Sequence, residues 1–111
     1  MAFFFNACER GVTRSVGYLG GMGFFSLFRA FQEKYGIQTD MQQALRTTIQ
    51  KLRSSHVEIM LGNHPRHNAT LEKRAYMLAH PEVNPFIDPE EWPHMLRAME
   101  VRLDDFAQKG W

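Results

Sequence analysis

Two imidazoles three residues apart, His64 and His67, are the side chains of this 111-residue sequence best suited to chemistry. They close the run Val57-Glu-Ile-Met-Leu-Gly-Asn-His-Pro-Arg-His67. Neutral imidazole is a common zinc ligand, and a catalytic zinc takes three protein ligands and keeps a fourth position for water. Two histidines in one loop can share a metal. The default reading of each is an ordinary hydrogen-bonded loop side chain, and His-Pro-Arg-His alone is a weak metal pattern. Asn63, next to His64, can donate a hydrogen bond to a substrate or to its own turn, and both readings stand.

The element in front of these residues matters as much as their type. Val57 to Leu61 has the length and β-branched content of a buried strand, and Gly62 and Pro65 then turn the chain. A histidine just past the carboxyl end of a strand sits on the rim of an α/β sheet, where open sheets place their ligands. Other groups have plainer readings. Gly20-Gly21-Met22-Gly23 lacks the lysine and Ser/Thr of a phosphate loop and reads as a close-packed strand end. Asp104 and Asp105 read as a solvated helix face, and Glu90 and Glu91 as electrostatics at a helix start. Cys8 reads as a small core residue within a strand, and Phe3, Phe4 and Phe5 as core.

Composition excludes several classes. Hydrophobic residues make up 44% and charged residues 23%, which fits a globular chain and not a disordered one. The length suits one domain or a piece of one. Formal net charge is +1 and the basic residues are scattered, which disfavours nucleic acid as a partner. The single cysteine permits no internal disulfide and no cysteine-based zinc cage. The opening Met1-Ala-Phe-Phe-Phe-Asn has no basic n-region and too short an apolar run for a signal peptide. No stretch approaches the roughly 18 apolar residues of a membrane helix. A soluble, cytoplasmic protein without membrane contact is the expectation.

Periodicity gives an α/β (α+β) order of β-hairpin, helix, strand and two helices. Ala2 to Cys8 and Val12 to Leu19 form the hairpin about a turn at Glu9-Arg10-Gly11. Phe24 to Tyr35 is ambiguous, a short helix that Gly36 would stop. Met41, Ala44, Leu45, Ile49 and Leu52 mark a helix capped by Thr39 or Asp40. Thr70 to Ala79 reads as a helix with Leu71, Ala75 and Leu78 on one side, and Pro81 and Pro85 interrupt the chain after it. Asp88-Pro89-Glu90-Glu91 opens the last helix, whose stripe is Trp92, Leu96, Met99, Leu103 and Phe106. Pro93 means either that a one-turn segment precedes this helix or that it bends there. The hairpin and the Val57 strand are apolar enough to want partners on both faces and at their edges, so part of the sheet is missing.

Three motifs together carry a resemblance: Leu61-Gly-Asn-His-Pro, Leu71-Glu-Lys-Arg-Ala and Asn84-Pro-Phe-Ile-Asp-Pro. They resemble the C-terminal part of metallo-β-lactamase-fold hydrolases, in the subclass whose zinc site is built mainly from histidines. Gly20 to Phe24, after the hairpin, is similar to a stretch of the same proteins. The resemblance implies an αββα sandwich with two zinc ions at one edge, of which residues 1–111 are a single partial domain, the C-terminal half. It implies that His64 is the last metal ligand and gives His67 no metal role. The resemblance places the other ligands upstream, in a His-x-His-x-Asp-His motif that this sequence does not contain and in a further histidine. Met1 falls where such a protein has an internal strand residue, so a truncated gene product or an excised fragment is expected. The implied activity is hydrolysis of an amide, an ester or a β-lactam small molecule by metal-bound hydroxide, with the fragment inactive by itself. The alternative is a non-catalytic binding or assembly module that completes its sheet with the missing N-terminal half, another partner or a second copy.

Overall fold

The computed structural model describes residues 1–20 and 23–111, so Gly21 and Met22 of the glycine-rich run lie outside the described residues. The chain divides into two compact units, Met1–Gly21 with His56–Trp92, and Met22–Ser55 with Pro93–Trp111.

The first unit is built on a three-stranded sheet. Strands β1 (Ala2–Glu9) and β2 (Val12–Leu19) pair antiparallel without a bulge, from Ala2↔Leu19 to Glu9↔Val12. Arg10 (φ 51°) and Gly11 (φ 79°) both take the left-handed conformation that a two-residue hairpin turn needs. Strand β3 (Ile59–Gly62) lies parallel to β2, in the order β1-β2-β3. It starts two residues later than the pattern predicts, and Val57, 2% exposed, is buried ahead of the strand. The row Phe4, Gly17, Met60 lies on the covered face. There Phe4 meets Trp92 edge-on at 5.6 Å. A Cβ on Gly17 would come within 2.8 Å of a Val57 methyl and 3.0 Å of the Trp92 ring. Phe3, Tyr18 and Leu61 form a row on the opposite face, with the Phe3 and Tyr18 rings 5.9 Å apart.

The two outer edges of this sheet differ. Along β3, Asp88 N–H donates to the Glu58 carbonyl at 2.8 Å, Ile59 bridges Ile87, and Asn68 Nδ2 donates to the Met60 carbonyl at 3.0 Å. Along β1, the outer edge has no backbone partner among the described residues. This position overturns two expectations. Phe3, Phe4 and Phe5 are 53%, 48% and 50% exposed rather than core, and Cys8 is exposed rather than buried. A terminal strand lacks the neighbour that would cover its side chains laterally.

Helix α3 (Thr70–Ala79) also belongs to the first unit and buries none of its residues. The predicted apolar side is not a packing face, since Leu71, Ala75 and Leu78 are exposed. Lys73 and Met77 are partly covered instead, and Lys73 Nζ donates to both Glu91 carboxylate oxygens at 2.6 Å. A lysine stem can cover apolar surface while its head finds a carboxylate, which a hydrophobicity pattern does not register.

In the second unit, a 3-10 turn (Phe25–Leu27) leads into α1 (Arg29–Lys34), and Gly36 (φ 65°) ends the segment as predicted. Helix α2 (Met41–Leu52) is capped by Asp40, whose carboxylate accepts from Gln43 N–H at 3.1 Å. Ile49 and Leu52 are buried, Met41 and Leu45 are half-buried, and Ala44 is exposed. Gln42 is buried because its Nε2 donates to the Leu27 carbonyl at 2.8 Å, which also accepts from Gln32 Nε2 at 3.2 Å. Helix α4 (Glu91–Lys109), which belongs to the second unit from Pro93 onward, opens where Asp88 Oδ1 accepts from Glu90 N–H at 3.0 Å. Pro93 is its third residue, in the turn where no N–H has an intrahelical partner, so it needs neither a break nor a bend. Trp92, Leu96, Met99, Leu103 and Phe106 are all buried, as their spacing predicts. Among the described residues, no helix is long and apolar enough to cross a membrane.

Candidate functional site

The histidine loop begins where β3 ends at Gly62 and runs to the first turn of α3. His67 N–H donates to the His64 carbonyl at 3.0 Å, and Thr70 N–H to the Pro65 carbonyl at 2.8 Å. Asn68 fastens the loop to the sheet. It is 3% exposed, its amide donates to Met60 of β3, and its Oδ1 accepts from Thr70 Oγ1 at 2.6 Å. Sequence reasoning missed Asn68. The only local signal was an asparagine two residues before a threonine that opens a helix.

Asn63 and His64 are exposed on this loop, immediately past the carboxyl end of a strand that runs parallel to its neighbour. His67 sits lower. A Cβ on Gly62 would lie 2.5 Å from the His67 Cβ, so the glycine is what lets the imidazole stem pack on the strand end. The His67 ring stands edge-on to His64, with centroids 5.0 Å apart and planes at 90°. Its Nδ1 is buried without a hydrogen-bond partner among the described residues. Burial first, and then the neighbouring charges of His64 and Arg66, hold His67 below the ordinary histidine pKa and favour the neutral ring.

These residues do not fit a complete zinc centre. Such a centre needs at least three protein donors, and no group of three His, Cys, Asp or Glu side chains suited to a metal occurs among the described residues. The loop offers one exposed imidazole and one turned partly inward. Glu91, which contacts the loop's helix through Lys73, is engaged in that ion pair. Asp104 and Asp105 pair with Arg46 and Lys109 on the surface of the second unit, in line with a solvated face. Gly20 donates its N–H to the Met1 carbonyl at 2.9 Å, continuing the hairpin ladder.

No family model and no curated protein matches the chain. Solved structures do. The subclass B3 metallo-β-lactamase BJP-1 of Bradyrhizobium japonicum superposes on 97% of this chain and 39% of its own, with a TM-score of 0.76 and 24% identity. The metallo-β-lactamase SMB-1, in a complex with mercaptoacetic acid, covers 99% and 41%, with a TM-score of 0.76 and 15% identity. MEM-A1, a subclass B3 enzyme from a soil metagenome library, covers 98% and 41%, with a TM-score of 0.68 and 18% identity. The chain spans about two fifths of the length of the structures it matches. At these identities the likeness is one of fold, and it agrees with the fold expected from the three motifs. The mixed three-stranded sheet with its helices thus matches part of the metallo-β-lactamase αββα fold.

Proposed function

We propose that this chain is the C-terminal portion of a zinc-dependent hydrolase of metallo-β-lactamase type, in which His64 supplies one metal ligand. The supporting observation is the place of His64: exposed, just past the carboxyl end of β3, in a fold matched along its length by subclass B3 enzymes. The substrate class would be a small amide, ester or β-lactam. Asn63, exposed beside His64, would hydrogen-bond it. The remaining ligands would come from protein outside these residues, so no hydrolytic step is assigned to the chain alone.

The test is a chimera in which this chain replaces the superposed part of the Bradyrhizobium japonicum enzyme. The expected result is zinc-dependent turnover of a chromogenic β-lactam. His64→Ala is expected to lower bound zinc and turnover together, while Asn63→Ala raises KM and leaves zinc content unchanged. A chimera whose zinc content and turnover ignore His64→Ala overturns the assignment. The isolated chain with added zinc is expected to show no turnover above background, and robust activity there contradicts the reading of an incomplete site.

A further inference from the structure

We propose that His67 is a positioning residue for His64: its ring, seated on the end of β3, sets the angle at which the His64 imidazole is presented. The inference rests on the reading of His64 as a metal ligand, and it gives His67 a role outside the ligand set.

One turn brings the two rings together. His67 N–H donates to the His64 carbonyl at 3.0 Å, so the pair are the first and fourth residues of a turn that encloses Pro65 and Arg66. Proline suits the second place of such a turn, because its ring presets φ. The ends of a β-turn have Cα atoms less than about 7 Å apart, within reach of side-chain contact. Here the imidazoles meet with centroids 5.0 Å apart and planes at 90°. Aromatic pairs favour this edge-to-face arrangement.

The two partners are held unequally. A Cβ built on Gly62 would stand 2.5 Å from the His67 Cβ and 3.2 Å from its Nδ1, so the stem and one ring edge lie against the strand end. Nδ1 is buried there. The next residue, Asn68, is tied to the Met60 carbonyl of the same strand. His64 is exposed, and its ring makes no hydrogen bond among the described residues. His67 is thus the seated member of the pair and His64 the member that gains order from it.

A ligating histidine ordinarily has its second ring nitrogen held by a carboxylate, a carbonyl or water, which fixes the ring's angle. Among the described residues, His64 has a perpendicular ring in that place. Turning the His64 imidazole about its Cβ–Cγ bond breaks the contact, so the contact selects one ring angle. What it requires at position 67 is a flat ring, not a nitrogen.

Three substitutions separate this role from packing and from ligation. His67→Phe keeps a ring, His67→Leu keeps bulk without one, and His67→Ala removes both. In the isolated chain, nuclear Overhauser contacts between the ring protons of His64 and those of residue 67 are expected for wild type and His67→Phe. The ring-current shift of the His64 protons is expected to vanish in His67→Leu and His67→Ala. In the chimera with the Bradyrhizobium japonicum enzyme, chelator competition is expected to show zinc held about 2- to 10-fold more weakly in His67→Leu and His67→Ala, the size of an edge-on ring contact. His67→Phe is expected to restore wild-type affinity, although its Tm equals that of His67→Leu. Equal zinc affinity in His67→Phe and His67→Leu overturns the proposal, whether both match wild type or both fall. Absence of the His64–His67 ring contact in the wild-type chain overturns it as well. His64→Ala in the same chimera tests the parent reading separately. Zinc content that ignores His64→Ala removes the ligand and the positioning role together. Zinc content that falls with His64→Ala but ignores His67→Ala removes the positioning role alone.

Discussion

At the scale of single residues, two glycines stand where no side chain fits, one in the sheet and one under the candidate site. A methyl at Gly17 would run into Val57 and Trp92, and one at Gly62 would run into His67. Gly17→Ala is expected to cost about 1–3 kcal/mol, the usual range for overpacking a well-filled site. A lower urea midpoint with an unchanged slope would show it. Gly62→Ala is expected to displace the histidine loop, so the imidazole resonances of His64 and His67 should shift more than those of His56 and His94. A Gly62→Ala variant with unmoved His64 and His67 signals would mean the loop is not seated on that glycine. The sequence marked Gly62 as a turn former, but its closeness to His67 was hidden, because that contact depends on a side chain five residues on. Nor could the sequence tell which imidazole faces outward. Pro65 and Asn68 decide that, one by turning the chain and the other by fastening it to Met60.

At the scale of elements, legibility followed burial. The hairpin, α2 and α4 were readable because their patterns match faces that are covered, and all five expected stripe residues of α4 are buried. Helix α3 was located correctly and its face was misread. Leu71 and Leu78 are 64% and 69% exposed, whereas Lys73 is engaged with Glu91. Leu71→Lys and Leu78→Lys are therefore expected to change stability by less than about 0.5 kcal/mol, as substitutions at exposed positions usually do. Lys73→Ala is expected to cost about 1.5–3 kcal/mol, because it strips a partly buried carboxylate of its charged donor. Adding Glu91→Ala should recover part of that loss, and a double-mutant cycle measures how much. The phenylalanines of β1 were misread for a related reason. Apolar type predicts burial only when a neighbour exists to do the covering, and whether a strand is terminal in its sheet is a property of topology that no local window contains.

At the scale of the whole molecule, the chain carries two apolar cores and no described cluster able to close around a metal. Its stability should not depend on zinc. Excess chelator, or zinc added at micromolar concentration, is expected to leave Tm unchanged, because a ligand stabilises with the logarithm of its concentration over Kd and adds little below Kd. A zinc-dependent rise in Tm would reveal a first shell more complete than His64 provides. The fold class was legible because three short motifs sit at three successive structural corners: the end of β3, the first turns of α3 and the approach to α4. The asymmetry of the sheet has one more consequence. Glu58, Ile59 and Met60 already have their outward positions taken by Asp88, Ile87 and Asn68. A margin closed in this way by the chain's own loops offers no free ladder to an incoming strand, so strand exchange at β3 requires those loops to be peeled away first.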